Sequence, residues 1–421
     1  MANRIRKWLR LFGPGLITGA ADDDPSGVAT YSQAGAQFGP GMLWTMLLTF
    51  PLMVAIQEVS ARVGRVTGHG LAGNLRRVYP PWLLYVLVGL LVVANTINIG
   101  ADIGAMGAAA KLLVGWGPSV AYAVLFAVIS SVLEIFLPYR RYAKVLMWLA
   151  LSLVAYVATA FVVKVPWQAF LEATVVPRLE TNADYLLMVV AVFGTTISPY
   201  LFFWQASQEA EEVKTDPHAR PLVRAPSQAG RQFHRLRVDT VLGMGASNLI
   251  GWFIMVTAAA TLNSAGKTSI DSAATAAAAL KPLAGNLASL VFAAGIIGTG
   301  LLAVPVLAGS ASYALGETMR FPVGIDRKPK DARAFYGVIV IATLFGAGID
   351  FLPINPIKAL VFTAVVNGVV AVPIMGMTML MSMNPKVTGK FVLPRGLLVL
   401  GWSATVAMAL AALGMFASLG R

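Results

Sequence analysis

The chemistry available to this chain concentrates in Asp22-Asp23-Asp24-Pro25-Ser26-Gly27. The stretch interrupts a hydrophobic segment that begins near Leu11, with GPGLITGAA before it and VATYSQAGAQFG after it. An ionised carboxylate in hydrocarbon costs several kcal/mol, so three in succession need a function or an exit to water. Pro25 has no N–H to give, Gly27 tolerates dihedrals that other residues avoid, and Ser26 can bond to nearby backbone. Together they predict that the helix unwinds here and that freed carbonyls and carboxylates face a common point. Oxygen donors of that kind suit a hard cation such as Mg²⁺ or Mn²⁺. The alternative is a polar loop or helix cap at a membrane surface.

The elements that must position this stretch are hydrophobic. The chain is 57% apolar with only 12% charged residues, and many runs are long enough to cross a bilayer. There is no cysteine, which excludes disulfides and thiolate metal sites. His69, His218 and His234 are expected in connecting segments, which argues against a buried histidine site. The basic start MANRIRKWLR has no small-residue cleavage site after its apolar run, so a retained first helix is expected.

The net charge of +13 suggests membrane orientation rather than nucleic-acid binding, because of where it lies. Arg4, Arg6, Lys7, Arg10, Arg62, Arg65, Arg76, Arg77, Arg140, Arg141, Lys144, the 214–238 and 320–333 loops, Lys386, Lys390 and Arg395 fall on one expected side. The exceptions are Lys111, Lys164, Arg178, Lys267, Lys281 and Arg421, with Lys358 near a segment start. This bias places the amino terminus in the cytoplasm of a multi-pass protein of the inner or plasma membrane, and an odd number of spans puts the carboxyl terminus outside. The 214–238 loop lacks the aromatic interleaving of a nucleic-acid arm.

Eleven spans are expected. The first runs 11–36, broken at the acidic stretch, and the second 40–61, with Gln57 and Glu58 near its end. The third, from Pro81 to Lys111, carries Asn95, Asn98 and Asp102 on one face. The fourth (116–137) contains Glu134, read as a surface partner of Arg140 or Arg141, and the fifth is 143–163. Trp167 in the following connection marks the outer interface. The sixth, from Tyr185, has a second break at Gly194-Thr195-Thr196-Ile197-Ser198-Pro199. It ends in Glu209, Glu211 and Glu212, an acidic vestibule or a solvated helix end. The seventh is 239–262. The eighth, 287–318, is expected to be irregular around Gly298, Gly300 and Pro305. The ninth is 335–350, the tenth 357–381 with Asn367, and the eleventh 392–415.

Breaks at corresponding places in the first and sixth spans are the footprint of an inverted-repeat secondary transporter with binding at the repeat interface. The domain reading is a 1–10 flank, a five-helix repeat at 11–163, an external connection at 164–184, a second repeat at 185–381, and a cytoplasmic connection with the eleventh helix at 382–421.

The spacing GPG-x8-DP from Gly13 to Pro25, followed by YSQAGA, resembles the first-helix signature of the Nramp divalent-metal transporters. GTTISPY resembles their second signature, and the resemblance covers nearly the whole chain. It implies an all-α, LeuT-like five-plus-five inverted repeat with an additional eleventh helix. Asp24-Pro25 falls on the family's Asp-Pro. Ser26 and Gly27 replace its Gly-Asn, Ser198 replaces its methionine ligand, and Gln205 replaces a histidine associated with proton movement. Asn98 and Ala101 stand at two acidic positions linked to coupling. This pattern is similar to the Nramp-related magnesium branch, and so implies a roomier oxygen site for partly hydrated Mg²⁺ without obligate proton coupling.

The expected metal ligands are Asp24, Asp23 and the Thr195 carbonyl. Asp22, Ser26, Gly27, Thr196 and Ser198 would position water or leave room for it, and Asn98, Asp102, Gln205 and Asn367 are possible polar lining. No cofactor, nucleic acid or dedicated protein partner is expected beyond the bilayer and the transported Mg²⁺ or Mn²⁺. A proton-coupled Mn²⁺ importer, a divalent-cation channel and a non-transporting membrane interaction protein stay open as alternatives.

Overall fold

The computed structural model describes residues 14–137, 146 and 148–419. The 1–10 flank with Arg4, Arg6, Lys7 and Arg10, the start of the first span, Arg140, Arg141, Lys144 and Arg421 lie outside them. Every regular element among the described residues is helical. The principal helices are α1 (Pro14–Asp22), α2 (Pro25–Phe38), α3 (Leu43–Thr67), α4 (Leu71–Val78), α5 (Pro81–Val114), α6 (Ser119–Phe136), α7 (Val154–Val162) and α8 (Trp167–Val175). They continue with α9 (Ala183–Thr196), α10 (Pro199–Thr215), α11 (Ala229–Thr261), α12 (Ala288–Met319), α13 (Arg333–Ile349), α14 (Pro356–Met383) and α15 (Arg395–Leu419). Among the described residues, 8 helical stretches are long and apolar enough to cross a membrane, and Trp148–Val162 and Arg333–Ile349 are shorter apolar helices.

Burial is inverted relative to a water-soluble protein. Phe136, Trp148, Phe161 and Phe345 are exposed, while Asp24, Asn98, Asp102 and Gln205 are buried. Hydrocarbon as solvent imposes this arrangement, because polar side chains then find partners only inside the bundle.

Both expected helix breaks are present, each for a local reason. Asp24 is extended at φ −68° and ψ 170°, and its carboxylate accepts from the Gly27 N–H. It therefore caps α2, while Pro25 sits at the first helical position, where a missing N–H costs nothing. In the second break, Ser198 is extended and Pro199 opens α10. The Ser198 hydroxyl turns backwards, reaching the Gly194 carbonyl at 2.7 Å and the Thr195 carbonyl at 2.9 Å. It closes the end of α9 rather than starting α10.

Unbroken α11 runs alongside both halves of the first broken helix. The Asp239 carboxylate accepts from the Gly15 N–H (2.7 Å) and the Leu16 N–H (3.2 Å), capping α1. One turn on, Gly243 packs on Gly19; a further turn places Ser247 at Asp22 and Asp23. Gly251 then meets the Tyr31 ring and the Met255 carbonyl meets Gly35. The contacts recur every four residues on α11, the spacing of one helix face.

Several expectations are corrected. The eighth span is one continuous helix, Ala288–Met319, with Pro305 inside it. Its irregularity lies earlier, in short helical turns that include Ala273–Ala277 and Lys281–Ala284. Glu134 is buried and accepts from the Ser130 hydroxyl one helical turn away, so it is not a surface group. His234 lies within α11, because that helix begins well before residue 239. Arg65 is not in a connection: α3 continues to Thr67 and buries it. Glu209 and Glu211 are buried too, so neither lines an acidic vestibule or a solvated helix end; Glu212 is partly exposed, and exposed positions begin at Lys214. Arg235 pairs with Glu209 (2.8 Å) and Glu212 (3.0 Å), with Arg65 behind them. Glu211 accepts from the Tyr313 hydroxyl and from the Asp326 N–H at 3.0 Å.

Candidate metal site

The two broken helices are tied to each other at both ends. The Tyr200 hydroxyl at the start of α10 donates to the Ala21 carbonyl at the end of α1 (3.1 Å). On the other side, Thr196 Oγ1 spends its proton on the Val192 carbonyl and accepts from Tyr31 of α2 (3.0 Å). Thus α1 pairs with α10 and α2 with α9. Gln57 of α3 adds a bond to the Leu201 carbonyl in the first turn of α10 (2.9 Å).

The three carboxylates do not converge, which corrects the common-point expectation. Asp22 and Asp23 turn to α11, where Ser247 Oγ lies 2.5 Å from Asp22 Oδ2 and 3.0 Å from Asp23 Oδ1. Asp24 turns the other way: Oδ1 takes the Gly27 N–H at 2.6 Å, and Oδ2 takes the Asn98 amide of α5 at 3.1 Å. Among the described residues no group of three His, Cys, Asp or Glu side chains could hold a metal ion. Any ion here must draw on carbonyls, hydroxyls and water beside a carboxylate.

Gly27 marks where such donors meet. A Cβ at this position would lie 3.3 Å from the Asp22 carbonyl, 3.4 Å from Asp24 Oδ1 and 3.4 Å from Thr195 Oγ1. Three oxygens from α1, the first break and α9 therefore border the space that any larger residue would fill. The Thr195 hydroxyl faces this space, whereas sequence reasoning named its carbonyl.

Of the remaining sequence candidates, Ser26, Thr196, Ser198 and Gln205 are hydrogen-bonded within the bundle. Ser26 donates to the Leu360 carbonyl of α14 at 3.0 Å. Thr196 and Ser198 donate their hydroxyl protons to backbone carbonyls as described, so towards a water either can act only as an acceptor. Gln205 donates to Thr240 Oγ1 on α11 at 3.0 Å. Asn367 is buried with no partner for Oδ1, next to the Gly368 that packs on Val190. Asp102 is fully buried, and neither carboxylate oxygen has a hydrogen bond of normal geometry. Sequence reasoning missed Ser247, Tyr200 and Tyr31. The available signal for Ser247 was the small-residue spacing Asp239-x3-Gly243-x3-Ser247.

Two discontinuous helices tied together at a polar centre inside an all-α bundle define a multi-pass membrane transporter of LeuT-like architecture. The MhsT transporter solved with L-phenylalanine has this fold: TM-score 0.63, 14% identity, covering 95% of this chain and 98% of that one. A manganese transporter from Eremococcus coleocola superposes with TM-score 0.73 at 15% identity, covering 96% of this chain and 86% of that one. The sequence profile of the natural resistance-associated macrophage protein-like family, Nramp, matches residues 15–418, and the chain belongs to that family. It is 28% identical over 317 residues to the divalent metal cation transporter MntH of Deinococcus radiodurans, covering 72% of this chain and 69% of that protein. The family consists of transporters, so this protein is not an enzyme.

Proposed function

We propose that this protein is a secondary transporter of divalent metal ions, working by alternating access at the space bordered by Gly27, Asp24 and Thr195. The relatives that carry the names manganese transporter and divalent metal cation transporter support Mn²⁺ as the principal substrate. Mg²⁺ is a further substrate in this reading, because the three donors nearest the Gly27 Cβ position are all oxygen, which suits a hard ion. The missing side chain at Gly27 keeps the three oxygens clear of a methyl group that would crowd a partly hydrated ion. Asp24 is the ionic ligand, the Asp22 carbonyl and Thr195 hydroxyl are neutral ligands, and Asn98 holds the second Asp24 oxygen. The single observation that carries the reading is the meeting of those three oxygens around Gly27.

The proposal includes two inverted five-helix repeats, 11–163 and 185–381, and an eleventh helix, with the amino terminus cytoplasmic and the carboxyl terminus outside. An inside-negative potential would then drive a divalent cation inward by roughly 4.6 kcal/mol per 100 mV. Uptake proceeds without obligate proton coupling: Gln205 and Asn98 carry no exchangeable charge, and His69, outside the spans, is pushed down to about 4 by burial and the nearby Arg77 and Lys214. The test is uptake of radiolabelled Mn²⁺ into proteoliposomes with Mg²⁺ as competitor. Asp24→Ala, matched for folded protein, is expected to abolish uptake. Normal flux in that variant removes the site, and failure of Mg²⁺ to compete removes Mg²⁺ as a substrate.

One observation favours a second reading, proton-coupled Mn²⁺ import. Asp102 is a buried carboxyl with no hydrogen bond of normal geometry, four residues from Asn98 on the same face of α5. The structural relative named a manganese transporter supports the Mn²⁺ part of this reading over a magnesium-selective one.

A further inference from the structure

Ser247 sits on the α11 face that also carries Asp239 and Gly243, and its position is set from both directions along that face. Behind it, Gly243 admits no Cβ: one built there would lie 2.3 Å from the Gly15 carbonyl. Ahead of it, Gly251 packs on the Tyr31 ring. The hydroxyl is therefore held at the height of the break, within reach of both Asp22 Oδ2 and Asp23 Oδ1. A hydroxyl has one proton to donate. Both carboxylates gather on that single donor. Asp23 is the more open of the two, at 8% exposure against 1% for Asp22.

We infer that Ser247 is a positioning residue that divides the acidic triplet, drawing Asp22 and Asp23 to α11 and leaving Asp24 as the lone carboxylate at the Gly27 space. The inference deepens the transport reading and rests on it. With one carboxylate beside neutral oxygens, a divalent ion keeps water and leaves readily. With two, it would shed water and dwell. Asp23 adjoins Asp24 and is the carboxylate able to make that change when the hydroxyl is absent. Ser247 thus trades affinity for turnover without touching the ion.

The experiment measures Mn²⁺ uptake into proteoliposomes for wild type, Ser247→Ala, Ser247→Thr and Asp24→Ala. Ser247→Ala is expected to lower KM and the maximal rate together, each by about threefold or more, the pattern of tighter ground-state binding. Ser247→Thr keeps the hydroxyl and should restore both constants. Adding Asp23→Asn to Ser247→Ala should also reverse the fall in KM, since the second carboxylate is then lost. A merely structural role would lower the melting temperature and the yield while leaving KM unchanged, and that result overturns the inference. So does a higher KM in Ser247→Ala, or failure of Ser247→Thr to restore it. Full uptake in Asp24→Ala instead overturns the site on which the inference rests, so the two failures are distinct.

Discussion

Gly19 and Gly243 meet backbone to backbone: a Cβ on Gly19 would lie 2.3 Å from both the carbonyl carbon and the carbonyl oxygen of Gly243. The contact fixes the half-helix α1 against α11 and sets the height at which Ser247 meets the acidic break. Membrane helices associate through such small-residue seams, because lipid gives them little hydrophobic drive. Gly243→Ala should therefore force the two helices apart and cost roughly 1–3 kcal/mol, as overpacking does elsewhere. The check is the melting temperature in detergent, alongside Gly230→Ala, where a Cβ meets nothing within 4 Å. Equal melting of the two variants would contradict the seam.

Gly27 should govern which ion is accepted. Its Cβ space is bounded by oxygens at 3.3–3.4 Å, so Gly27→Ala brings a methyl group into contact with three donors. Mg²⁺ uptake should fall more than Mn²⁺ uptake, since Mg²⁺ holds its water more firmly. Competition between the two ions in one flux assay reads the ratio, and an unchanged ratio would place the hydrated ion elsewhere. Ser198→Met alone should not confer transition-metal selectivity. The Ser198 hydroxyl caps the Gly194 and Thr195 carbonyls, and its loss disturbs the end of α9.

Much of this arrangement was legible in the chain. Asp24-Pro25 and Ser198-Pro199 announce helix breaks through local chemistry, and both occur where expected. The directions of the three aspartates were not legible, because they depend on a serine more than two hundred residues away. Arg65, Glu134 and Glu209 were misread for a related reason. Charge near an apolar run looks like a membrane boundary in sequence, whereas here helix extension or a neighbouring helix buries each of them. Pro305 was expected to disrupt its helix, but a proline removes one N–H bond and the surrounding bundle holds the rest of α12 in place.

The Glu209 pair offers a stability test. Glu209 is completely buried, 2.8 Å from Arg235 and 3.8 Å from Arg65. Arg235→Ala leaves a buried carboxylate with only its distant partner, and should cost roughly 3 kcal/mol. Arg235→Met with Glu209→Leu removes both charges and should be less destabilised than the single variant. Thermal unfolding of the three proteins in one detergent decides this. A double variant worse than Arg235→Ala would mean that the pair itself, rather than the relief of an unpaired charge, stabilises α10 against α11.

Asp350 should make stability depend on pH. It lies beyond the end of α13, and burial pushes its carboxyl up to about 7. One side-chain oxygen packs where a Cβ of Gly104 would lie, and the other has no partner. Between its ordinary carboxylate range and pH 7, the folded protein holds a proton that the unfolded chain releases. Its contribution is therefore fully present at low pH, declines as pH rises through that window, and is absent above it. Asp350→Asn keeps the shape without the charge. The variant should melt above wild type at about pH 8.5, with the gap closing towards about pH 4. A gap that is the same at both pH values would remove Asp350 as its source.

Coupling is the prediction on which the two readings of function part. Without obligate coupling, Mn²⁺ or Mg²⁺ uptake into tightly sealed proteoliposomes at clamped potential should leave luminal pH unchanged. The physical basis is the set of partners around the site: Asp24 is held by the Gly27 N–H and the Asn98 amide, and Gln205 is bound to Thr240. None of these amides carries a proton across. Asp102 is the group that could. A rate that merely varies with pH does not separate the readings, since neighbouring carboxyls titrate together and alter binding without moving protons through the membrane. The decisive record is metal uptake and luminal pH in the same vesicles, for wild type and Asp102→Asn. Acidification that scales with uptake in wild type and disappears in Asp102→Asn, while metal still enters, would establish proton-coupled import with Asp102 as the carrier. Unchanged luminal pH, with Asp102→Asn transporting as wild type does, would leave Asp102 a packing residue and the ion's own gradient as the driving force.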